Sequence, residues 1–150
     1  MNALKTGKKM IVGSLEICSL PDLGIEDIEV RVDTGAKTSS LHVDNVKKYT
    51  KRGKPWLSFD LHPDAYNVDE TINCKAALHD IRKVKSSNGA SEERYVIKTL
   101  LSMGTMQWPI EITLTDRSDM SYLMLLGRQG MADKLLVDPS ITFLLEKSEK

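Results

Sequence analysis

The chain has 150 residues, 41% of them apolar, enough to bury one core of ordinary domain size. Its 21 basic and 21 acidic residues cancel, which argues against nucleic acid as a partner, since no basic surplus exists to neutralise a phosphate backbone. No stretch approaches the ~20 apolar residues of a membrane-spanning helix, so no membrane partner is expected.

Met1 to Met10 carries Lys5, Lys8 and Lys9, and no apolar run of signal-peptide length follows before Gly13 and Glu16. A cytoplasmic location is the default expectation. Cys18 and Cys74 read as half-buried free thiols in a reducing compartment. A single domain is expected over residues 1–150, with 1–9 and 147–150 peripheral.

Along the chain, Ile28, Val30 and Val32 alternate with Glu29, Arg31 and Asp33, the period-two pattern of a half-buried strand whose far end carries an aspartate. Leu57, Phe59 and Leu61 repeat the pattern. So do Trp108, Ile110, Ile112 and Leu114 against Glu111, Thr113 and Thr115. Tyr122 to Leu126 is a short apolar run suited to a strand buried on both faces. Turn signals separate these runs: Pro21 with Gly24, residues 51–55 around Gly53, His62-Pro63-Asp64, residues 86–89, and residues 116–119. One segment looks helical, Gln129 to Leu136, stopped before Pro139. A last strand is expected over Ile141 to Leu145. The pattern predicts an all-β domain.

Asp33-Thr34-Gly35 stands where the first alternating strand stops. Such a run is also a common turn, but each position has a role if the aspartate is catalytic. Two carboxylates in contact cannot both ionise cheaply, so a pair holds one shared proton. The ionised member then acts as base on a water and the protonated member as acid. Gly35 allows a sharp turn with close backbone approach, and Thr34 offers a hydroxyl that can lock the loop. Far downstream, Met124-Leu125-Leu126-Gly127-Arg128 is an apolar strand ending in Gly-Arg, with the helical segment directly after it.

In Val32-Asp33-Thr34-Gly35-Ala36 and Leu125-Leu126-Gly127-Arg128 the sequence resembles retropepsin-like aspartic peptidases. More narrowly, residues 31–42 together with Trp108-Pro109-Ile110-Glu111 and Leu126-Gly127-Arg128 are similar to the bacterial family labelled ATP-dependent zinc proteases. The resemblance covers nearly all of residues 10 to 145. It implies a closed β-barrel of the acid protease fold with one short C-terminal helix. It also implies catalysis by Asp33 with Thr34 and Gly35, supported by Ala36, Gly127 and Arg128. Only one Asp-Thr-Gly run is present, so the second carboxylate would come from a second copy in a homodimer, with the termini and residues 141–145 extending the interface.

Viral members of the class place an acidic residue where this chain has Lys37, so their mode of substrate binding does not carry over. Lys37 and Arg31 beside the aspartate suggest a cleft for acidic peptide or protein substrates, or Lys37 is a solvated loop charge. The family label promises zinc and ATP. His42, His62 and His79 form no His-Glu-x-x-His motif, and Thr6-Gly7-Lys8-Lys9 is no phosphate-binding loop, so no cofactor and no metal site are expected. Arg82 to Lys98 reads as a long hairpin with Asn88-Gly89 at its tip, either a flap that holds substrate over the aspartates or an exposed loop. The hairpin around Gly53 is a rival flap. The resemblance implies peptide or amide hydrolysis. Its alternatives are trimming of glutamate tails, because the family is associated with enzymes that ligate glutamate, or a non-catalytic dimeric binding module. Met103, Met106, Met120, Met124 and Met131 read as core or interface fillers.

Overall fold

A computed structural model describes residues 9–62, 70–85, 89–115 and 122–145. Twelve strands, one turn of 3-10 helix at Pro21–Leu23 and one turn of α-helix are formed among them: β1 Met10–Val12, β2 Leu15–Leu20, β3 Ile25–Val32, β4 Ser39–His42, β5 Asp44–Lys51, β6 Lys54–Leu61, β7 Ile72–Ala77, β8 Asp80–Lys85, β9 Ser91–Met103, β10 Met106–Thr115, β11 Met124–Leu126, α1 Arg128–Met131 and β12 Leu135–Val137. The order β10-β4-β11-β3-β2-β9 closes on itself because β9 also pairs with β10, giving a six-stranded barrel with β8 added beside β9. Closure leaves these six strands no free edge. The all-β closed barrel with one short helix is therefore the observed architecture.

The period-two runs form the strands expected of them. In β3, Ile25, Ile28, Val30 and Val32 are buried while Glu29 and Arg31 face out. The alternation in β10 ends earlier than the sequence suggests: Thr113 and Thr115 are buried alongside Ile112 and Leu114. Thr113 is accommodated because its hydroxyl donates to the Ser39 carbonyl at 3.1 Å, so burial leaves no unpaired polar group. β5, β6 and β7 form a separate antiparallel sheet that turns Leu57, Phe59, Leu61 and Cys74 into the core. Met103, Met124 and Met131 fill the core and Met106 packs against it, whereas Met120 lies outside the described residues.

Three expectations are corrected. Helix α1 is one turn, not Gln129 to Leu136. Leu135 and Leu136 instead extend as β12, pairing in parallel with β1 through Met10↔Leu135, Ile11↔Leu136 and Val12↔Val137. A partner strand distant in sequence overrides local helical preference there. Residues 141–145 are no strand either. The Phe143 N–H reaches the Leu15 carbonyl, but Phe143 itself has φ +53, and the next two N–H groups turn to a side chain, Glu16. The thiols, finally, are fully rather than half buried, and both are free. Burial pushes Cys18 up to about 12 and Cys74 up to about 11, which removes either as a nucleophile near neutral pH.

Glu16 was not singled out by the sequence, and it pins the C-terminal strap. Its fully buried carboxylate accepts from the N–H groups of Gly13 at 2.7 Å, Leu144 at 3.0 Å and Leu145 at 3.0 Å. An amide of the same shape must turn N–H groups toward at least one of those donors. Glu16→Gln is therefore expected to destabilise the fold by roughly 1–3 kcal/mol, the cost of a buried donor left unpaired. Hydrogen exchange checks the assignment: the amides of Leu144 and Leu145 should lose protection first, and unchanged protection there would refute it.

Candidate active site

The strand pairings bring the two sequence motifs together. β11 runs parallel to β3, with Leu126 beside Val32, so both strands deliver their C-terminal ends to the same place. One gives way to Asp33-Thr34-Gly35, the other to Gly127-Arg128. β4 returns antiparallel along β11, placing the end of the aspartate loop against Gly127.

The loop is held through its backbone. The Asp33 N–H donates to the Leu126 carbonyl at 2.9 Å, and the Ala36 N–H closes a turn on the Asp33 carbonyl at 3.2 Å. From the second motif, the N–H of Arg128 donates to the Ala36 carbonyl at 2.8 Å and that of Gln129 to Lys37 at 3.1 Å. The Arg128 guanidinium adds donations to the carbonyls of Gly35 at 3.2 Å and, more weakly, Thr34 at 3.5 Å. Arg128 thus clasps the loop's main chain and needs no acidic partner at position 37. The Gly35 N–H donates to Asp33 Oδ1 at 2.9 Å, which fixes the carboxylate's rotation. A Cβ on Gly35 would stand 3.2 Å from that same oxygen, close enough to push it aside.

Gly127 is fixed by space rather than by conformation. Its φ of −86 suits any residue, but a Cβ there would lie 2.5 Å from the Thr38 carbonyl oxygen and 2.6 Å from its carbon. Its N–H donates to the buried Ser39 hydroxyl at 3.0 Å, and behind it Trp108 Nε1 donates to the Gly130 carbonyl at 2.7 Å. Ser39 and Trp108 stand in the segments that carry the family resemblance, but their role as supports of the loop follows only from the fold. Trp108 carried a signal as an indole on a core-facing position, where its N–H requires a partner.

Asp33 opens onto a cleft of about 430 Å³ lined also by Ser14, Arg31, Thr34, Tyr122 and Pro139. Arg31 and Thr34 were expected beside it; Tyr122, Ser14 and Pro139 were not. Lys37 is exposed and does not line the cleft. Ala36 serves through its backbone alone. Asn88 lies outside the described residues. Gly89, exposed with φ +86, sits where β8 and β9 meet and does not reach the Asp33 cleft within one copy. The expected hairpin exists, pairing Asp80 to Lys85 with Ser91 to Val96, as does the one around Gly53. At the base of the first hairpin Arg82 bridges Asp80 at 2.8 Å and Glu111 at 2.7 Å, and His79 reaches Glu111 at 3.0 Å. The Arg82 hydrogen bond holds the Glu111 carboxyl below the ordinary range. His62 lies between Asp44 and Thr71, away from the cleft. Among the described residues no three His, Cys, Asp or Glu side chains converge as metal ligands, and no helix is long and apolar enough to cross a membrane.

A closed barrel whose parallel strands β3 and β11 present an Asp-Thr-Gly loop clasped by Gly-Arg defines the aspartic peptidase-like class in its single-lobed form. The chain belongs, over residues 11–148, to the RimB-like family, described as retropepsin-like aspartic endopeptidase RimB. It is 47% identical over 137 residues to a probable alpha-L-glutamate ligase of Shewanella pealeana and 43% identical over 142 residues to one of Desulfotalea psychrophila. These matches cover 91% and 95% of the chain but only 30% and 31% of those proteins, so the chain spans under a third of the curated relatives it matches. A solved structure, protein Lpg0085 of unknown function from Legionella pneumophila, superposes with a TM-score of 0.75 at 30% identity, covering 89% of this chain and 96% of that one. The narrower expectation, a family of ATP-dependent zinc proteases, gives way to the RimB-like assignment.

Proposed function

We propose that two copies of this chain form a homodimeric aspartic peptidase in which paired Asp33 carboxylates hydrolyse an amide bond of an acidic peptide segment. The carrying observation is the Asp33 carboxylate, oriented by the Gly35 N–H on a clasped loop and facing an open cleft. One Asp-Thr-Gly run per chain makes the second carboxylate a partner's contribution. Among the described residues, Ile11 and Leu136, neighbours in the β1–β12 pair, and Phe143 and Leu144 on the strap are large apolar side chains left exposed. They support an isologous interface continuous with the cleft wall at Val137 and Pro139.

In the dimer, the ionised Asp33 takes a proton from a water as its oxygen attacks the scissile carbonyl, and the protonated Asp33 donates to the carbonyl oxygen. The tetrahedral intermediate collapses by breaking the C–N bond, and the amine leaves with a proton returned from the pair. Two observations support an acidic substrate. Arg31 stands in the cleft beside Asp33, and relatives matched over 91% and 95% of this chain are named probable alpha-L-glutamate ligases. Mass spectrometry on end-labelled peptides tests this reading. Oligoglutamate should be cleaved faster than a neutral peptide of equal length, and Arg31→Ala should raise KM for the acidic peptide alone. Equal rates would leave a general peptidase without the acidic preference. An intact dimer that cleaves neither peptide would be a binding module.

A further inference from the structure

The solvent-facing side of the β5-β6-β7 sheet gathers charge that the whole-chain balance conceals. Leu57, Phe59 and Leu61 point into the core, so Lys54, Trp56, Ser58 and Asp60 point out. Strand register sets their neighbours: Tyr49 opposes Trp56, Lys47 opposes Ser58, which opposes Lys75, and Lys51 opposes Lys54. Cross-strand partners share a face at 4.5–5.5 Å between Cβ atoms, as a rough guide. The result is an adjacent pair of aromatic rings with Lys47 and Lys75 on one side and Lys51 and Lys54 on the other. Lys51 Nζ lies over the face of the Trp56 ring, 4.4 Å from its centroid, so a base stacking there takes the place of this ammonium and moves it toward the phosphates. The basic stretch ends at Asp60, whose carboxylate is engaged by the side-chain amides of Asn45 and Asn73, each at 3.0 Å.

We infer that this face is a binding platform for single-stranded nucleic acid, with bases stacked on Tyr49 and Trp56 and phosphates held by Lys47, Lys51, Lys54 and Lys75. Aromatic rings on an open sheet flanked by cations suit unpaired bases, because every base has a π face and every linkage a negative charge. An acidic peptide would use the cations but has no use for the ring pair. The four charges flanking the rings are ammonium groups, which hold phosphates as point charges, and Arg52 stands outside the paired strands, at the β5–β6 turn. The charge balance of 21 against 21 is an average over the chain; the fold places four lysines of that total on one small surface.

Fluorescence anisotropy of a labelled single-stranded RNA of mixed sequence, titrated with the whole chain, tests this inference. Saturable binding is expected, with tryptophan quenching from Trp56, since Trp108 is buried. Engagement of four phosphates should give a slope of log K against log salt near about −3. Lys47→Glu with Lys75→Glu should weaken binding more than tenfold and flatten that slope. Tyr49→Ala with Trp56→Ala should weaken it at least as much and leave the slope unchanged. Should the alanine pair fail to fold, Trp56→Phe, which keeps a ring, should bind with the quenching lost, and the exposed lysine reversals still decide the matter. Absence of saturable binding at low salt would overturn the inference. So would an oligoglutamate peptide that displaces the RNA with equal potency while the aromatic variants keep full affinity, which would assign the face to acidic peptides.

Discussion

Asp33→Asn should yield a dimer of unchanged fold whose turnover is lower by about 10³-fold or more, in the upper part of the range for losing a positioned acid or base. The substitution is nearly isosteric. The side-chain oxygen of asparagine can still accept from the Gly35 N–H, now 2.9 Å from Asp33 Oδ1, and the backbone bond from Asp33 to Leu126 is untouched. What disappears is the ability to take a proton from water. In a two-fold assembly both copies lose it at once, so neither the base nor the acid remains. Thermal unfolding separates chemistry from folding: the melting temperature should stay within a degree or two while peptide cleavage is lost. Turnover that survives would remove Asp33 from the mechanism.

Gly127→Ala is the second large effect, and it acts through space. The added methyl meets the Thr38 carbonyl oxygen at 2.5 Å, its carbon at 2.6 Å and its nitrogen at 2.9 Å, all main-chain atoms of the segment that ends the aspartate loop. A backbone strand cannot swing aside as a side chain can. Either β11 or the loop must shift, and the clasp through the Arg128 and Gln129 N–H groups shifts with it. Destabilisation of about 3 kcal/mol is expected, at the upper end for overpacking, together with activity lost beyond what the unfolded fraction explains. Gly53→Ala provides the contrast. Nothing lies within 4 Å of a Cβ there, but φ is +77, so only the left-handed conformation of about 1–2 kcal/mol is at stake and activity should be kept. Urea midpoints measured on both variants give the comparison. Equal loss would mean that Gly127 is constrained by something other than Thr38.

Much of this was legible in the sequence because strands and turns write themselves locally. Period-two burial in β3 and β6 follows directly from residue spacing, and the Asp33 and Gly127-Arg128 motifs meet as their family resemblance implied. The parts that were not legible depend on partners distant in sequence. Leu135 and Leu136 read as the end of a helix because nothing nearby reveals that β1 will pair with them. Residues 141–145 look like a strand until Glu16 supplies the acceptors a neighbouring strand would have offered. Thr113 breaks an alternation whose reason, the Ser39 carbonyl, lies 74 positions away. Of the two cations next to the motif, Arg31 lines the cleft and Lys37 does not, while Tyr122 joins it from far along the chain. Nearness along the chain gave the part of the cleft wall beside the motif, Arg31 and Thr34, whereas Ser14, Tyr122 and Pro139 reach it only through the fold.

The central claim is that catalysis needs one Asp33 from each of two chains. Wild-type chain mixed with Asp33→Asn chain, dissociated and allowed to reassociate, measures this directly. If a dimer with one aspartate is inactive, activity must follow the square of the wild-type fraction, falling to roughly one quarter in an equal mixture under random pairing. Activity that instead falls in proportion to the wild-type fraction, to roughly one half, would place a complete site within a single chain and contradict the account.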